Sequence, residues 1–175
     1  MTTSYVAVDL ETTGIGAKRE KITEIGMVKV VDGAVVETYH TMVNPHREIP
    51  ERIVELTGIT DEMVKDAPGI EEVLPEVLAF CEGFPLLGHQ IIFDYGFLTQ
   101  AAVNMKLEFK KDAVDTLKLC RYLMPGADDL TVHLPGKMQG YRMEQEYDYL
   151  DVQVVSCLMQ DSFAPDEILL PLLAF

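Results

Sequence analysis

The sequence is poor in positive charge and in long apolar runs, and each shortage excludes a class of function. Its 14 Lys and Arg residues stand against 29 Asp and Glu residues, which gives a formal net charge of −15. Because affinity for duplex DNA normally comes from cations that neutralise phosphates, long tracts of duplex are poor candidates as partners. No apolar run approaches the roughly 20 residues of a membrane-spanning helix, so the sequence predicts no membrane partner.

Cysteine is also scarce, and its spacing argues against a disulfide-stabilised or zinc-bound fold. Cys81, Cys120 and Cys157 are widely separated and surrounded by apolar residues, which fits neither a disulfide framework nor a zinc site. We therefore expect reduced, buried thiols. The polar first residues do not resemble a secretory signal, and the expected localisation is cytoplasmic.

The length and composition are those of one ordinary globular domain, expected over residues 1–175. Strands come first and helices then alternate with short strands, which predicts an α/β fold around a mixed sheet. Residues 125–145 lack a clear period and are expected to be irregular. Residues 165–175 form an apolar C-terminal segment that either caps the core or, if exposed, offers a surface to a partner or a second copy.

Hydrophobic periodicity and turn residues predict the individual elements. The predicted strands are Ser4–Leu10, Ile22–Val31, Ala34–Val43, Phe84–Gly88 and Ala113–Asp115. The predicted helices are Glu51–Thr57, a short helix after Thr60, Gly69–Cys81, Ile91–Met105, Thr116–Leu123 and Tyr147–Gln160. Between the second and third strands, Asp32-Gly33 predicts a tight hairpin turn.

Two acids at the end of the first apolar run are the first candidates for chemistry. Asp9 and Glu11 are two residues apart, and side chains two apart on a strand point to the same side. Adjacent carboxylates repel each other unless a cation lies between them, and Mg²⁺ or Mn²⁺ prefers such oxygens. The plainer interpretation is a solvated strand end, which a sequence so rich in acids would also show.

Two further acids are placed where they can join the first pair. Asp94 falls in the first turn of a helix that follows a buried strand, at the edge where strand ends converge; the alternative is an acid favoured by the helix dipole. Asp151 lies four residues after Tyr147 on a predicted helix, so both side chains share one face. Its alternative is a solvated acid beside a half-buried tyrosine.

Order and spacing of these motifs match a known pattern. The phrases are Val-Ala-Val-Asp9-Leu-Glu11-Thr-Thr-Gly, Ile22-Thr-Glu-Ile-Gly26, Asn44-Pro45, Leu56-Thr57-Gly58-Ile59-Thr60, Gly88-His-Gln-Ile-Ile-Phe-Asp94 and Asp115-Thr116-Leu117. Together they resemble the DEDD (DnaQ-like) 3′–5′ exonucleases, especially the proofreading epsilon subunit and the exonuclease domain of bacterial replicative DNA polymerase. The resemblance covers residues 4–124 closely and 147–160 loosely.

The resemblance implies a ribonuclease H-like fold, with a mixed five-stranded sheet flanked by helices, and a two-metal nuclease. The residues that match the four metal-binding acids of the family are Asp9, Glu11, Asp94 and Asp151. Two divalent ions, Mg²⁺ or Mn²⁺, would share Asp9 as a bridging ligand. One ion would generate hydroxide and the other would stabilise the leaving 3′ oxygen. Thr12 and Thr13 match the segment that lies against the terminal nucleotide.

The implied activity is metal-dependent hydrolysis of single-stranded nucleic acid from its 3′ end to nucleoside monophosphates. The resemblance favours DNA as the substrate. The residues themselves include no recognisable group that would distinguish DNA ends from RNA ends. A polymerase or another protein is the implied partner.

The last motif departs from the commonest form of the family. That form has a histidine base five residues before the last acid, where this sequence has Glu146. Another branch has a tyrosine four residues before that acid, which Tyr147 matches; a phenol, with its pKa near 10, would orient the water rather than deprotonate it. A displaced His133 is a third candidate. The alternative function is a degenerate nuclease fold that serves as a protein-interaction or regulatory module.

Overall fold

The computed structural model describes residues 4–123, which form five strands and five helices. The strands are β1 (Tyr5–Thr12), β2 (Ile22–Val31), β3 (Ala34–Met42), β4 (Leu86–Gly88) and β5 (Ala113–Asp115). The helices are α1 (Glu51–Thr57), α2 (Asp61–Val64), α3 (Ile70–Phe80), α4 (Ile92–Asn104) and α5 (Thr116–Leu123). The predicted elements up to residue 123 are therefore confirmed, with small shifts at their ends. The irregular region 125–145, the helix Tyr147–Gln160 and the apolar segment 165–175 lie outside the described residues.

The strands form one mixed sheet in the order β3-β2-β1-β4-β5. β1 pairs antiparallel with β2 and parallel with β4, and β5 adds parallel to β4. The β2–β3 hairpin closes at Asp32 and Gly33, whose φ angles of 51° and 80° are both positive, as a type I′ turn requires. The predicted α/β fold with a mixed five-stranded sheet flanked by helices is thus confirmed.

The two faces of β1 have different neighbours. Val6, Val8 and Leu10 point into the main core, where they meet side chains of α3 and α4 such as Leu74 and Leu98. The residues between them point to the other face of the sheet, because side chains alternate along a strand. The second face therefore carries the buried Tyr5 at one end of β1 and the two candidate acids, Asp9 and Glu11, toward the other end.

β1 extends beyond the strand beside it. The β1–β4 pairing ends at Ala7 with Leu87, whereas β1 continues to Thr12. Its last residues on that side therefore need hydrogen-bond partners from outside the sheet, because buried backbone N–H groups are almost always paired. The beginning of α4 occupies this position.

Cys81 is a free thiol buried in the core, and burial raises its pKa to about 11. Across residues 4–123, every helix falls short of the length and hydrophobicity that crossing a bilayer demands.

Candidate active site

Three of the four predicted acids meet near the carboxyl end of β1. Asp9 and Glu11 stand on one side of β1, and Asp94 reaches the same strand from the first turn of α4. Asp94 Oδ1 accepts the N–H of Leu10 at 3.0 Å, one of the backbone groups that β4 leaves without a strand partner. Asp94 therefore accepts a backbone N–H of β1 and brings a third carboxylate to Leu10, the residue between Asp9 and Glu11.

Burial and mutual repulsion make this cluster hold protons. Asp94 is only 4% exposed; burial, followed by the charge of Asp9, raises its pKa to about 8, against the opposing effect of its backbone hydrogen bonds. Burial, followed by the charges of Asp9 and Glu24, raises the pKa of Glu11 to about 7. A cation bound nearby would lower the pKa of both Glu11 and Asp94, because opposite charge favours the ionised carboxylate.

The donor chemistry of the three acids fits a hard divalent ion. All three groups offer carboxylate oxygens, which Mg²⁺ and Mn²⁺ prefer. Within residues 4–123, however, no group of three His, Cys, Asp or Glu side chains is arranged to hold a metal ion by itself. Asp151, the fourth predicted acid, lies outside the described residues, as do Tyr147, Glu146 and His133.

A second acidic group beside the site was missed by the sequence reasoning. Glu24 of β2 pairs with Glu11 across the sheet and is 6% exposed. Its Oε1 lies 2.7 Å from Nε2 of His40 on β3. His40 is opposite Gly26, which is opposite Asp9. Because opposed residues share a face of the sheet, the Glu24–His40 pair stands on the side that carries Asp9 and Glu11.

The structure turns the hydroxyls of Thr12 and Thr13 inward. The Thr12 hydroxyl donates to the carbonyl of Gly14 at 2.7 Å. The Thr13 side chain is 0% exposed, and its hydroxyl donates to Glu20 at 2.7 Å. Both threonines therefore shape the loop that follows β1, and their contact with a terminal nucleotide stays a prediction.

The end of β5 holds the turn from which α4 begins. Asp115 Oδ1 accepts backbone N–H groups of Gln90 at 3.2 Å, Leu117 at 3.0 Å and Lys118 at 3.3 Å. The Thr116 hydroxyl donates to the carbonyl of Gly88 at 3.3 Å. These bonds secure a turn in which Gln90 has a positive φ of 55°, a conformation that costs free energy for a residue other than glycine. The carboxylate of Asp115 therefore holds the turn that leads into α4, the helix that carries Asp94.

Asp115→Ala should weaken both the fold and the site. Three N–H groups lose their acceptor, two of them in the first turn of α5, and we expect the free energy of unfolding to fall by about 2 kcal/mol. Asp115→Asn keeps an oxygen acceptor and should cost less. Urea unfolding and Mn²⁺ titration would measure both effects, with the exposed Asp112→Ala as control. Equal stability of the Ala and Asn variants would contradict the role of the acceptor.

The chain matches a family model and is similar to known proteins. Residues 6–151 match the family model RNase_T, described as exonuclease. The DNA polymerase III PolC-type of Clostridium perfringens is 40% identical over 147 residues, which cover 84% of this chain and 10% of the relative. That of Caldanaerobacter subterraneus subsp. tengcongensis is 35% identical over 171 residues, covering 97% of this chain and 11% of the relative. This chain thus spans about a tenth of the length of these polymerase relatives.

Two solved exonuclease structures resemble this chain. Exonuclease X in complex with 5′ overhanging duplex DNA superposes with a TM-score of 0.69 at 27% identity, over 94% of this chain and 96% of that one. Product-bound exonuclease I has a TM-score of 0.64 at 14% identity, over 74% of this chain and 34% of that one. At this lower identity the second likeness concerns the fold alone, which is the ribonuclease H-like fold implied by the sequence.

Proposed function

Because this chain belongs to the RNase_T exonuclease family, we propose that it is a 3′–5′ exonuclease that shortens single-stranded DNA and releases nucleoside monophosphates. The observation that carries the proposal is the meeting of Asp9, Glu11 and Asp94 at the end of β1, where burial and repulsion raise the pKa of two of them. Such a cluster is expected where a cation belongs. The family match also extends as far as Asp151.

Exonucleases of this family generally use divalent metal ions, and we propose two, Mg²⁺ or Mn²⁺. Asp9, Glu11 and Asp94 would hold them together with Asp151. When bound, such ions lower the pKa of a water nucleophile and stabilise the charge on the leaving 3′ oxygen. The protein must first give up the protons on Glu11 and Asp94, so we expect metal affinity to increase as the pH rises through about 7 to 8.

The remaining roles follow from the chemistry of the side chains. The N–H of Leu10 fixes one oxygen of Asp94. The Asp94 side chain would therefore lose little conformational freedom when it binds a metal ion. We assign Tyr147 to orienting the attacking water, since a phenol is too weak an acid to be ionised at neutral pH. We assign the main chain of Thr12 and Thr13 to the terminal nucleotide, because both hydroxyls are already used within the loop.

We also propose a polymerase partner and a cytoplasmic location for this chain. The matched stretches are parts of much longer PolC-type polymerases, which supports a polymerase, or a protein bound to one, as partner of this chain. The buried, unpaired thiol of Cys81 is compatible with a reducing cytoplasm.

A 5′-labelled single-stranded oligonucleotide with Mg²⁺ or Mn²⁺ tests the function. We expect stepwise shortening by the wild-type protein, no shortening after addition of EDTA, and a loss of about 10³-fold or more in Asp9→Ala. The exposed Asp66→Ala is the matched control and should behave as wild type. An RNA oligonucleotide of the same sequence in parallel determines the preferred sugar. Absence of shortening at micromolar protein with either metal would refute the proposal and favour an interaction module.

A further inference from the structure

The loop between β1 and β2 begins directly after the candidate catalytic acids. Residues 13–21 leave β1 two positions after Glu11 and return where the Thr13 N–H donates to the carbonyl of Lys21 at 2.8 Å. From strand rise and strand spacing, the Cα atoms of Lys21 and Glu11 are roughly 8 Å apart. Any strand that enters the site from this side passes the loop.

The loop separates its charges, with one acid inside and three cations outside. The carboxylate of Glu20 accepts the Thr13 hydroxyl at 2.7 Å and pairs with Arg47 at 3.2 Å. Arg47 also donates to the carbonyl of Arg19 at 2.9 Å, which ties the loop to the segment after β3. Backbone bonds to the carbonyl of Gly16 close the tip. Glu20, the only acid of the loop, therefore holds the shape of the loop and does not pair with the loop's own cations.

Three cationic side chains remain directed to solvent, and we name Lys18, Arg19 and Lys21 the loop cations. All three residues are exposed. The ion pairs of Lys and Arg within residues 4–123 are those of Lys29 with Glu37, Arg47 with Glu20 and Lys65 with Glu62, so none of them uses a loop cation. The protein as a whole has a net charge of −15. The loop cations therefore form a local patch of positive charge beside the acidic site, and such a patch favours binding of an anionic polymer.

We propose that the loop cations bind the phosphates of the single strand upstream of its 3′ end. The inference rests on the proposed function, since it takes the three acids as the point of cleavage and the loop as the approach to it. The contacts are to the phosphodiester backbone and so are independent of base sequence. The braced loop holds the cations in place before the strand arrives, which reduces the entropy lost on binding.

Binding of a 5′-fluorescein-labelled 12-nucleotide single strand, measured by anisotropy with Ca²⁺ in place of Mg²⁺, tests the inference directly. We expect K18A/R19A/K21A to raise Kd about tenfold at low salt. The dependence of log Kd on log salt should become shallower by about 2, since each phosphate contact to a single strand contributes about 0.7. The effect should shrink for a dinucleotide, which has no upstream phosphates to bind.

The control removes the same charge from other surfaces. R52A/K65A/K110A changes three exposed cations on α1, after α2 and before β5, and should leave Kd within about twofold of wild type apart from the loss of net charge. The single charge reversal K21E should reproduce most of the loss. Equal Kd values for both triple variants would overturn the inference. Because binding is measured without cleavage, a protein that binds through the loop but shortens nothing would instead contradict the proposed function.

Discussion

Asp94→Asn should remove the proposed exonuclease activity and at the same time stabilise the metal-free protein above neutral pH. The variant keeps the shape of the side chain, and its amide oxygen can still accept the Leu10 N–H that Asp94 accepts at 3.0 Å. It loses the negative charge that a divalent ion requires. Since metal ions supply several kcal/mol of transition-state stabilisation, we expect activity to fall by about 10³-fold or more.

The gain in stability follows from the direction of the pKa shift. Burial and the charge of Asp9 raise the pKa of Asp94 from 3.8 to about 8, so between these pH values the folded state keeps a proton that the unfolded state releases. The stabilisation by this group is complete below about pH 4 and is lost as the pH rises through about 8. Asn is neutral at every pH and avoids this loss.

Thermal unfolding in EDTA at pH 4.5, 6 and 8 measures the effect. Each unit of pKa difference is worth about 1.4 kcal/mol, and 1 kcal/mol shifts Tm by about 2–4 °C in a protein of this size. We expect the variant to exceed wild type by several degrees at pH 8 and to match it at pH 4.5. The exposed Asp66→Asn is the control and should show no difference. A variant less stable than wild type at pH 8 would contradict the proposed charge repulsion.

Gly88→Ala should damage the fold and the site together. A Cβ at position 88 would lie 2.7 Å from Cδ1 of Ile91 and 3.0 Å from the carbonyl oxygen of Val8. The Ile91 side chain can rotate, but Val8 belongs to the central strand, so β4 or the following turn must move. Overpacking of this kind costs about 1–3 kcal/mol. Because the same turn leads to Asp94, we also expect activity to fall by about tenfold, since small misplacements of catalytic groups are costly.

Gly96→Ala is the matched control, on the helix that Gly88 precedes. Among residues 4–123, a Cβ at Gly96 meets nothing within 4 Å, and alanine is favoured over glycine inside a helix by up to about 1 kcal/mol. Urea unfolding should therefore show Gly96→Ala equal to or more stable than wild type, with full activity. If Gly88→Ala were as stable as Gly96→Ala, the close approach of β4 to β1 would not be a constraint.

Much of the candidate site could be predicted because it depends on local patterns. The alternation of β1 puts Asp9 and Glu11 on one side of a strand, whatever the rest of the fold. The Asp32-Gly33 turn and the strand–helix step before Asp94 are equally local, and all three are confirmed. Asp151 and Tyr147 lie beyond the described residues, so their roles stay predictions.

The neighbours of these acids depend on register, which local patterns do not determine. Near its turn the β2–β3 hairpin pairs Val30 with Val35, but Lys29 pairs with Glu37, which leaves Val36 as an extra residue. Without this bulge Gly26 would oppose residue 39; with it, His40 faces the side of Asp9 and reaches Glu24. A shift of one residue exchanges the faces of every side chain that follows.

The sequence by itself therefore determined which acids are candidates for the site, and the tertiary structure decided what surrounds them. Strand alternation and turn chemistry act between neighbours in the chain, so Asp9, Glu11 and Asp94 could be read in order. The inward turn of Thr13 and Glu20, the acceptor role of Asp115 and the position of His40 depend on hydrogen bonds between residues 7 to 25 positions apart. Such bonds form only when the strands and turns have packed, because each pairs groups that the chain brings together in three dimensions.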